Sequence, residues 1–121
     1  MIIVTKLPAP ELFPNKKNGL HWSKTLAVKK SDQEYGFYAT KEVMMNYFPL
    51  SKNDLLHMTL QVIYGDKKSR DCDNILAAYK ALQDGICRAI GIDDSQIVIV
   101  TVDKRFKDKL NPRCICRLER I

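Results

Sequence analysis

The chain has 121 residues, 45% hydrophobic and 28% charged, with five Gly and five Pro; this suits one folded domain and excludes disordered, collagen-like and low-complexity sequence. Twenty Lys and Arg against fourteen Asp and Glu give a formal charge of +6, which is compatible with a nucleic-acid partner. No apolar run approaches the roughly 18 residues of a membrane span, and MIIVTKLPAP at the N-terminus lacks the basic start and cleavage site of a signal peptide. A soluble, cytoplasmic protein with no membrane partner is expected.

In chain order, residues 2–7 predict a strand closed by Pro8 and Pro10. Residues 11–20, with Pro14, Asn15, Asn18 and Gly19, predict a loop. Residues 23–47 read as helical, with Leu26, Tyr38, Val43 and Met45 as apolar positions, Gly36 as a candidate bend and Pro49 as a stop. Leu56, Met58, Leu60, Val62 and Tyr64 alternate with His57, Thr59, Gln61 and Ile63, which predicts a strand with one buried face.

A basic turn over 65–70 leads to a second helix, from Asp73 or Asn74 to about Ile90. Its Ile75, Ala78, Tyr79, Leu82, Ile86, Ala89 and Ile90 form an apolar stripe, and Gly91 is its stop. The β-branched residues 97–102 predict a strand buried on both faces. Residues 105–112 predict a basic, hairpin-like loop. A last strand then turns Cys114, Cys116 and Leu118 inward and Arg113, Arg117 and Glu119 outward. The order β-α-β-α-β-β predicts a single α+β domain over residues 1–121, with a small mixed or antiparallel sheet covered by helices.

The cysteines, Cys72, Cys87, Cys114 and Cys116, lack zinc-ligand spacing and read as reduced, small buried residues. Tyr35, Phe37 and Tyr38 read as core or dimer contacts. Trp22 reads first as a packing aromatic, with a base-stacking wedge as the alternative. His21 has no obvious partner and is given no catalytic role.

Charge is unevenly spread. Residues 12–31 carry Lys16, Lys17, Lys24, Lys29 and Lys30 and no acid, and residues 104–117 carry six cations against Asp108 alone. Residues 66–103 hold half of the acids, namely Asp66, Asp71, Asp73, Asp84, Asp93, Asp94 and Asp103. Basic flanks around a carboxylate cluster suit an enzyme that cuts phosphodiesters, since cations bind the backbone and carboxylates hold a divalent metal.

Asp71 and Asp73, two residues apart in extended backbone, can share one cation, and hard oxygen ligands favour Mg²⁺ over zinc. The competing structural reading is that Asp71 and Asp73 cap the helix and that Asp93, Asp94 and Ser95 form a plain turn. A helix of about 17 residues is near 25 Å long. The two acidic groups could therefore lie at opposite ends, meet across a dimer, or meet because the second turn folds back.

Residues Arg70-Asp71-Cys72-Asp73-Asn74-Ile75, then Ala81-Leu82, Gly91-Ile92 and Asp93-Asp94-Ser95-Gln96-Ile97, resemble the RusA family of Holliday-junction resolvases. Pro14-Asn15 and Gly19-Leu20-His21-Trp22 add to the resemblance, which covers about residues 2–118. It implies a phage-associated, homodimeric, Mg²⁺-dependent endonuclease (Mn²⁺ being the substitute ion) that resolves four-way DNA junctions in recombination and repair.

Carried over by position, the family's acidic triad falls on Asp71, Asp73 and Asp94. The family's catalytic lysine position is Ala77 here, and Lys80, one turn later and projecting back over Ala77, is the nearest substitute, with Lys67, Lys68 or Arg70 as other sources of positive charge. Junction arms would lie on Lys16, Lys17, Lys24, Lys29, Lys30, Lys67, Lys68 and Arg70. Two other readings stand beside this one: a nuclease for flaps and forks, and a catalytically weak or inactive basic dimer that binds branched DNA.

Overall fold

The computed structural model describes residues 1–17, 19, 21–44 and 50–121, apart from the Lys17 side chain. Met45, Tyr47 and Pro49 of the expected first helix, and Asn18 and Leu20 of the expected loop, lie outside these residues. Four strands form the sheet: β1 (Ile2–Thr5), β2 (Leu56–Ile63), β3 (Ile97–Asp103) and β4 (Arg113–Arg120), in the order β1-β4-β2-β3. β4 runs antiparallel to both neighbours, and β2 and β3 are parallel. The molecule is thus a single α+β domain with a mixed sheet.

Alternation decides which face of the sheet is covered. Leu56, Met58, Leu60 and Val62 of β2 and Cys114, Cys116 and Leu118 of β4 are buried together, as their period-two spacing predicts. Helix α3 (Cys72–Ile90) lays Ile75, Tyr79, Leu82 and Ile86 on that face. It stops at Gly91, whose φ of +85° suits a residue without a Cβ and whose N–H bonds the Cys87 carbonyl at 2.9 Å. The fully buried Tyr79 meets Thr5 Oγ1 at 3.1 Å, tying α3 to β1. All four cysteines are free; Cys87, Cys114 and Cys116 are buried, and burial pushes each thiol up to about 12, while Cys72 is exposed.

Five expectations change. Residues 11–20 are not a plain loop: a 3-10 turn covers Pro10–Leu12 and a short helix, α1, covers Pro14–Lys17, because prolines are tolerated in the first turn of a helix. The long helix α2 (Trp22–Val43) is continuous through Gly36, and it exposes the expected apolar positions Leu26, Tyr38 and Val43. It buries Thr25, Asp32, Gly36 and Thr40 instead.

The reason is close backbone approach to α3. A Cβ on Gly36 would lie 2.3 Å from the Leu82 carbonyl oxygen, and one on Gly85 would lie 2.0 Å from that of Gln33. Two glycines therefore let the helices cross without an apolar stripe. Asp32 closes the other flank, bonding Lys6 at 2.6 Å and accepting the Ala9 N–H at 3.0 Å.

Third, β3 is not buried on both faces. It is an edge strand, and Val98, Ile99 and Val100 are 52%, 46% and 41% exposed. Fourth, residues 104–112 are not a hairpin, because β2 lies between β3 and β4; the segment crosses the end of β2, where the Asp108 N–H bonds the Tyr64 carbonyl at 3.0 Å. Fifth, the helices cover one face of the sheet only. Ile2 and Val4 of β1, Arg117 and Glu119 of β4, and Ile99 and Thr101 of β3 are exposed on the other. Among the described residues no helix is long and apolar enough to cross a membrane.

Candidate active site and nucleic-acid interface

The N-terminus of α3 follows β2 through residues 64–71, and that turn is held by one cation. Arg70 donates to both carboxylate oxygens of Asp66, at 2.8 and 2.9 Å, and its guanidinium lies 3.7 Å over the Tyr64 ring. The Arg70 guanidinium holds the Asp66 carboxyl down to about 2, and burial pushes the Tyr64 phenol up to about 12. Lys104 donates to the Arg70 carbonyl, so the β3–β4 crossover is fastened to the same turn. Arg70, expected on the DNA surface, is thus chiefly an anchor of this turn.

With the turn so held, the next two acids are left unbound. Asp71 occupies the N-cap position of α3 but its side chain makes no capping bond, and Asp73 stands in the first turn; both are exposed, and neither carboxylate has a hydrogen bond or ion pair among the described residues. The capping alternative therefore does not account for either carboxylate. An N-terminal helix position also lowers the cost of gathering negative charge there.

The second acidic turn behaves differently. Asp93 caps the 3-10 turn Asp94–Gln96: its carboxylate accepts the Ser95 N–H at 2.9 Å while Gln96 Oε1 accepts the Asp93 N–H at 2.9 Å. The Ser95 N–H, the larger cause, and its hydroxyl hold the Asp93 carboxyl below the usual range. Gln96 is buried and donates to the carbonyls of Ser51 and Asp54, both at 2.9 Å. Asp93 and Gln96 serve the fold, whereas Asp94 is exposed and paired with Lys80.

This pairing shortens the separation of the two acidic groups without bringing them together. The chain reverses at Gly91, where the buried Ile92 donates its N–H to the Cys87 carbonyl at 3.0 Å, and Asp94 comes back alongside the middle of α3. Lys80 bridges Asp94 and Asp84, the latter at 2.9 Å. Seven residues separate Lys80 from Asp73, roughly 10 Å along the helix instead of its full length. Lys80 does not project back over Ala77, as the lean of helical side chains suggests; two carboxylates draw its ammonium the other way. Among the described residues no three Asp, Glu, His or Cys side chains gather as a metal cage.

Beside Asp71 opens a cleft of about 850 Å³. Its cations are Lys6, Lys16, Lys68 and Arg70, and Phe13, Tyr64 and the prolines of residues 8–10 supply apolar surface. Lys67 and Lys68 share a smaller adjoining pocket with Lys104 and Lys107. Lys6, Lys104 and Lys107 were not expected here; the run of cations over 104–117 was the available signal, but only the crossover past β2 brings it to the cleft.

The expected basic surface therefore divides. Lys16, Lys67, Lys68 and Arg70 lie at or beside the cleft, while Lys29 and Lys30 line a separate pocket with Arg88, in the last turn of α3. Lys24 is exposed on α2, and the Lys17 side chain lies outside the described residues.

Trp22 does not pack as expected. It is 71% exposed, at the start of α2, and its ring lies 5.7 Å from that of His21. His21 caps α2, its Nδ1 accepting the Ser23 N–H at 3.3 Å. Tyr35 and Tyr38 are exposed, so of their two expected roles, core or dimer contact, the core one does not hold.

No family model matches the chain. Over 91 residues the chain is 28% identical to an uncharacterized protein of Xylella fastidiosa (strain Temecula1 / ATCC 700964). The match covers 75% of this chain and 58% of that protein, so the chain spans little more than half of the relative's length.

Proposed function

We propose that this chain is a divalent-metal-dependent endonuclease of branched DNA, with four-way junctions as its first substrate and recombination and repair as its setting. One observation carries the reading: two exposed carboxylates without a partner among the described residues, Asp71 and Asp73, stand at a helix N-terminus beside a cleft whose cations can bind phosphates. The fold uses neither acid, which is what a ligand pair for a hard cation requires. Asp94, on the returning turn and level with Lys80 about 10 Å along α3, is the third candidate ligand, and it would have to leave Lys80 and move toward Asp71 and Asp73 to share their cation.

In donor chemistry these residues fit Mg²⁺, and Mn²⁺ equally. A bound cation would lower the pKa of a water and neutralise charge on the scissile phosphate. The chain's own part is positioning. Lys6, Lys16 and Lys68 would hold the flanking phosphates, Arg70 would keep the acidic turn rigid through Asp66 and Tyr64, and Lys80 would shift between Asp94 and the developing charge on the phosphate. The resemblance to RusA resolvases supports a homodimer, in which two such sites address opposed strands.

A second reading is a dimer that binds branched DNA with little or no cutting. It is favoured by Ala77 at the family's lysine position and by the ion pair that occupies Asp94. The test is a labelled mobile four-way junction, incubated beside linear duplex of the same sequence, with Mg²⁺, with Mn²⁺ and with neither. Paired nicks on opposed arms, only with metal and only in branched substrate, are expected. Tight junction binding without nicks in either metal would overturn the nuclease and leave the binder.

A further inference from the structure

The cleft beside Asp71 holds more apolar surface, and more unused polar groups, than the binding of phosphates requires. Of its four cations, Lys6 is paired with Asp32 and Arg70 with Asp66. Lys16 and Lys68 are exposed and have no ion pair among the described residues. A phosphate held by these two stays in water, because moving its charge onto apolar surface is costly. It has no use for the half-buried Phe13, or for Pro10 and Pro112, in the same walls.

The polar groups make the same point. Tyr64 lines the cleft at 6% exposure, and its buried hydroxyl has no hydrogen-bond partner among the described residues. Buried hydroxyls are nearly always bonded, so this one marks a contact that the chain alone leaves incomplete. Arg70 covers a face of the Tyr64 ring, which leaves the hydroxyl as the part that a ligand can use. Asn15 and Asn74 also line the cleft, and neither amide has a hydrogen bond among the described residues.

A flat apolar body, a hydrogen-bonding edge and an attached anion together describe a nucleotide. We propose that the cleft receives one nucleotide whose base has left the helical stack. The base lies against Phe13 and the prolines, and its polar edge meets the two amides and the Tyr64 hydroxyl, with a slight shift of the residues over that hydroxyl. Lys16 and Lys68 hold its phosphates. The inference rests on the nuclease reading in one respect: a cation at Asp71 and Asp73 would bind the next phosphate of the same strand, which makes DNA, not a free mononucleotide, the source.

The probe is an immobile four-way junction with one unpaired adenine at its centre, beside the same junction with an abasic sugar there. The two carry equal charge. Binding is followed by fluorescence anisotropy in EDTA, where nothing is cut. The wild type is expected to hold the adenine junction about tenfold tighter, the share of one stacked base. Phe13→Leu, which removes the ring and keeps apolar bulk, should erase most of that difference and leave the abasic affinity unchanged. Should that variant fail to fold, Asn15→Ala combined with Tyr64→Phe decides, since neither lost group has a hydrogen bond in the fold. The preference should then fall about threefold, the worth of one or two hydrogen bonds.

A second arm titrates deoxyadenosine monophosphate and deoxyribose phosphate, each alone, and only the first should bind. Equal affinity for the two junctions without mononucleotide binding would overturn the proposal, as would a preference that survives these variants. Equal junction affinities with mononucleotide binding would keep the pocket and overturn its DNA source. The two readings fail separately: a chain that prefers the base but cuts no junction removes only the nuclease, and one that cuts both junctions without preference removes only the pocket.

Discussion

Two acidic turns flank α3, and the fold treats them in opposite ways. At residues 93–96 one acid caps a turn, the buried Gln96 ties that turn to the segment before β2, and Asp94 is held by Lys80. At residues 66–73 the anchoring falls to Arg70, Asp66 and Tyr64, and the Asp71 and Asp73 carboxylates are left without partners among the described residues. Similar residue types therefore do different work. A carboxylate bound by backbone N–H groups supports structure, whereas one that the structure leaves unpaired is available to a ligand.

The comparison breaks most sharply on activity. Asp73→Asn is expected to lower metal-dependent cutting by about a thousandfold, the rate equivalent of several kcal/mol of lost metal-based stabilisation. Junction affinity should be kept or raised, because a negative charge near phosphate is removed, and the melting temperature should barely move. Single-turnover cleavage, gel-shift titration and thermal unfolding on the same preparation separate the three. A large loss of stability would mean that Asp73 serves the fold after all.

Gln96→Ala should do the reverse. It strands the Ser51 and Asp54 carbonyls in a half-buried setting, at a cost of about 2–3 kcal/mol. Denaturant unfolding is expected to show that loss with little change in junction affinity at temperatures where the chain is folded.

Lys80→Met sharpens the contrast, since it frees Asp94 without touching Asp71 or Asp73. The rise in melting temperature on adding Mg²⁺ should be a few degrees larger in this variant than in the wild type, because a metal-bound native state is stabilised by mass action. The rise should vanish in Lys80→Met combined with Asp73→Asn. Equal shifts in both would exclude Asp73 as a ligand.

The smallest expected effect concerns acid. Asp66 has a folded pKa of about 2, below its ordinary 3.8. A depressed carboxylate contributes stability that is present above the unfolded value and is lost as pH falls through the folded one, so the window runs from about pH 4 to pH 2. Asp66→Asn should flatten the fall in melting temperature across that window. At the alkaline end the three buried thiols, raised from 9.0 to about 12, favour the folded state below pH 9 and cease to do so as pH climbs to 12.

Local repeats in the sequence were enough for part of this structure. The period of two in β2 and β4, the apolar stripe of α3, its glycine stop and the placing of two acids at a helix start all follow from spacing, because each depends on the chain's own geometry over a few residues. Tertiary packing decided the rest. Gly36 and Gly85 look like weaknesses in a helix until each is found against the other helix's backbone. The β-branched run of β3 reads as a buried strand, yet it lies at the sheet edge, because β4 inserts between β1 and β2.

The site divides along the same line. Composition and spacing singled out Asp71, Asp73 and the acidic turn at Asp93 and Asp94, and the family resemblance chose Asp94 and Lys80, but three things were not in the sequence: the return of Asp94 to Lys80, the capture of Arg70 by Asp66 and Tyr64, and the arrival of Lys104 and Lys107 beside the cleft. Each joins residues distant in sequence or sets one partner against another, and a side chain's role there depends on which charge or ring reaches it first. Periodicity reports which way a residue points; only the assembled chain determines what it meets.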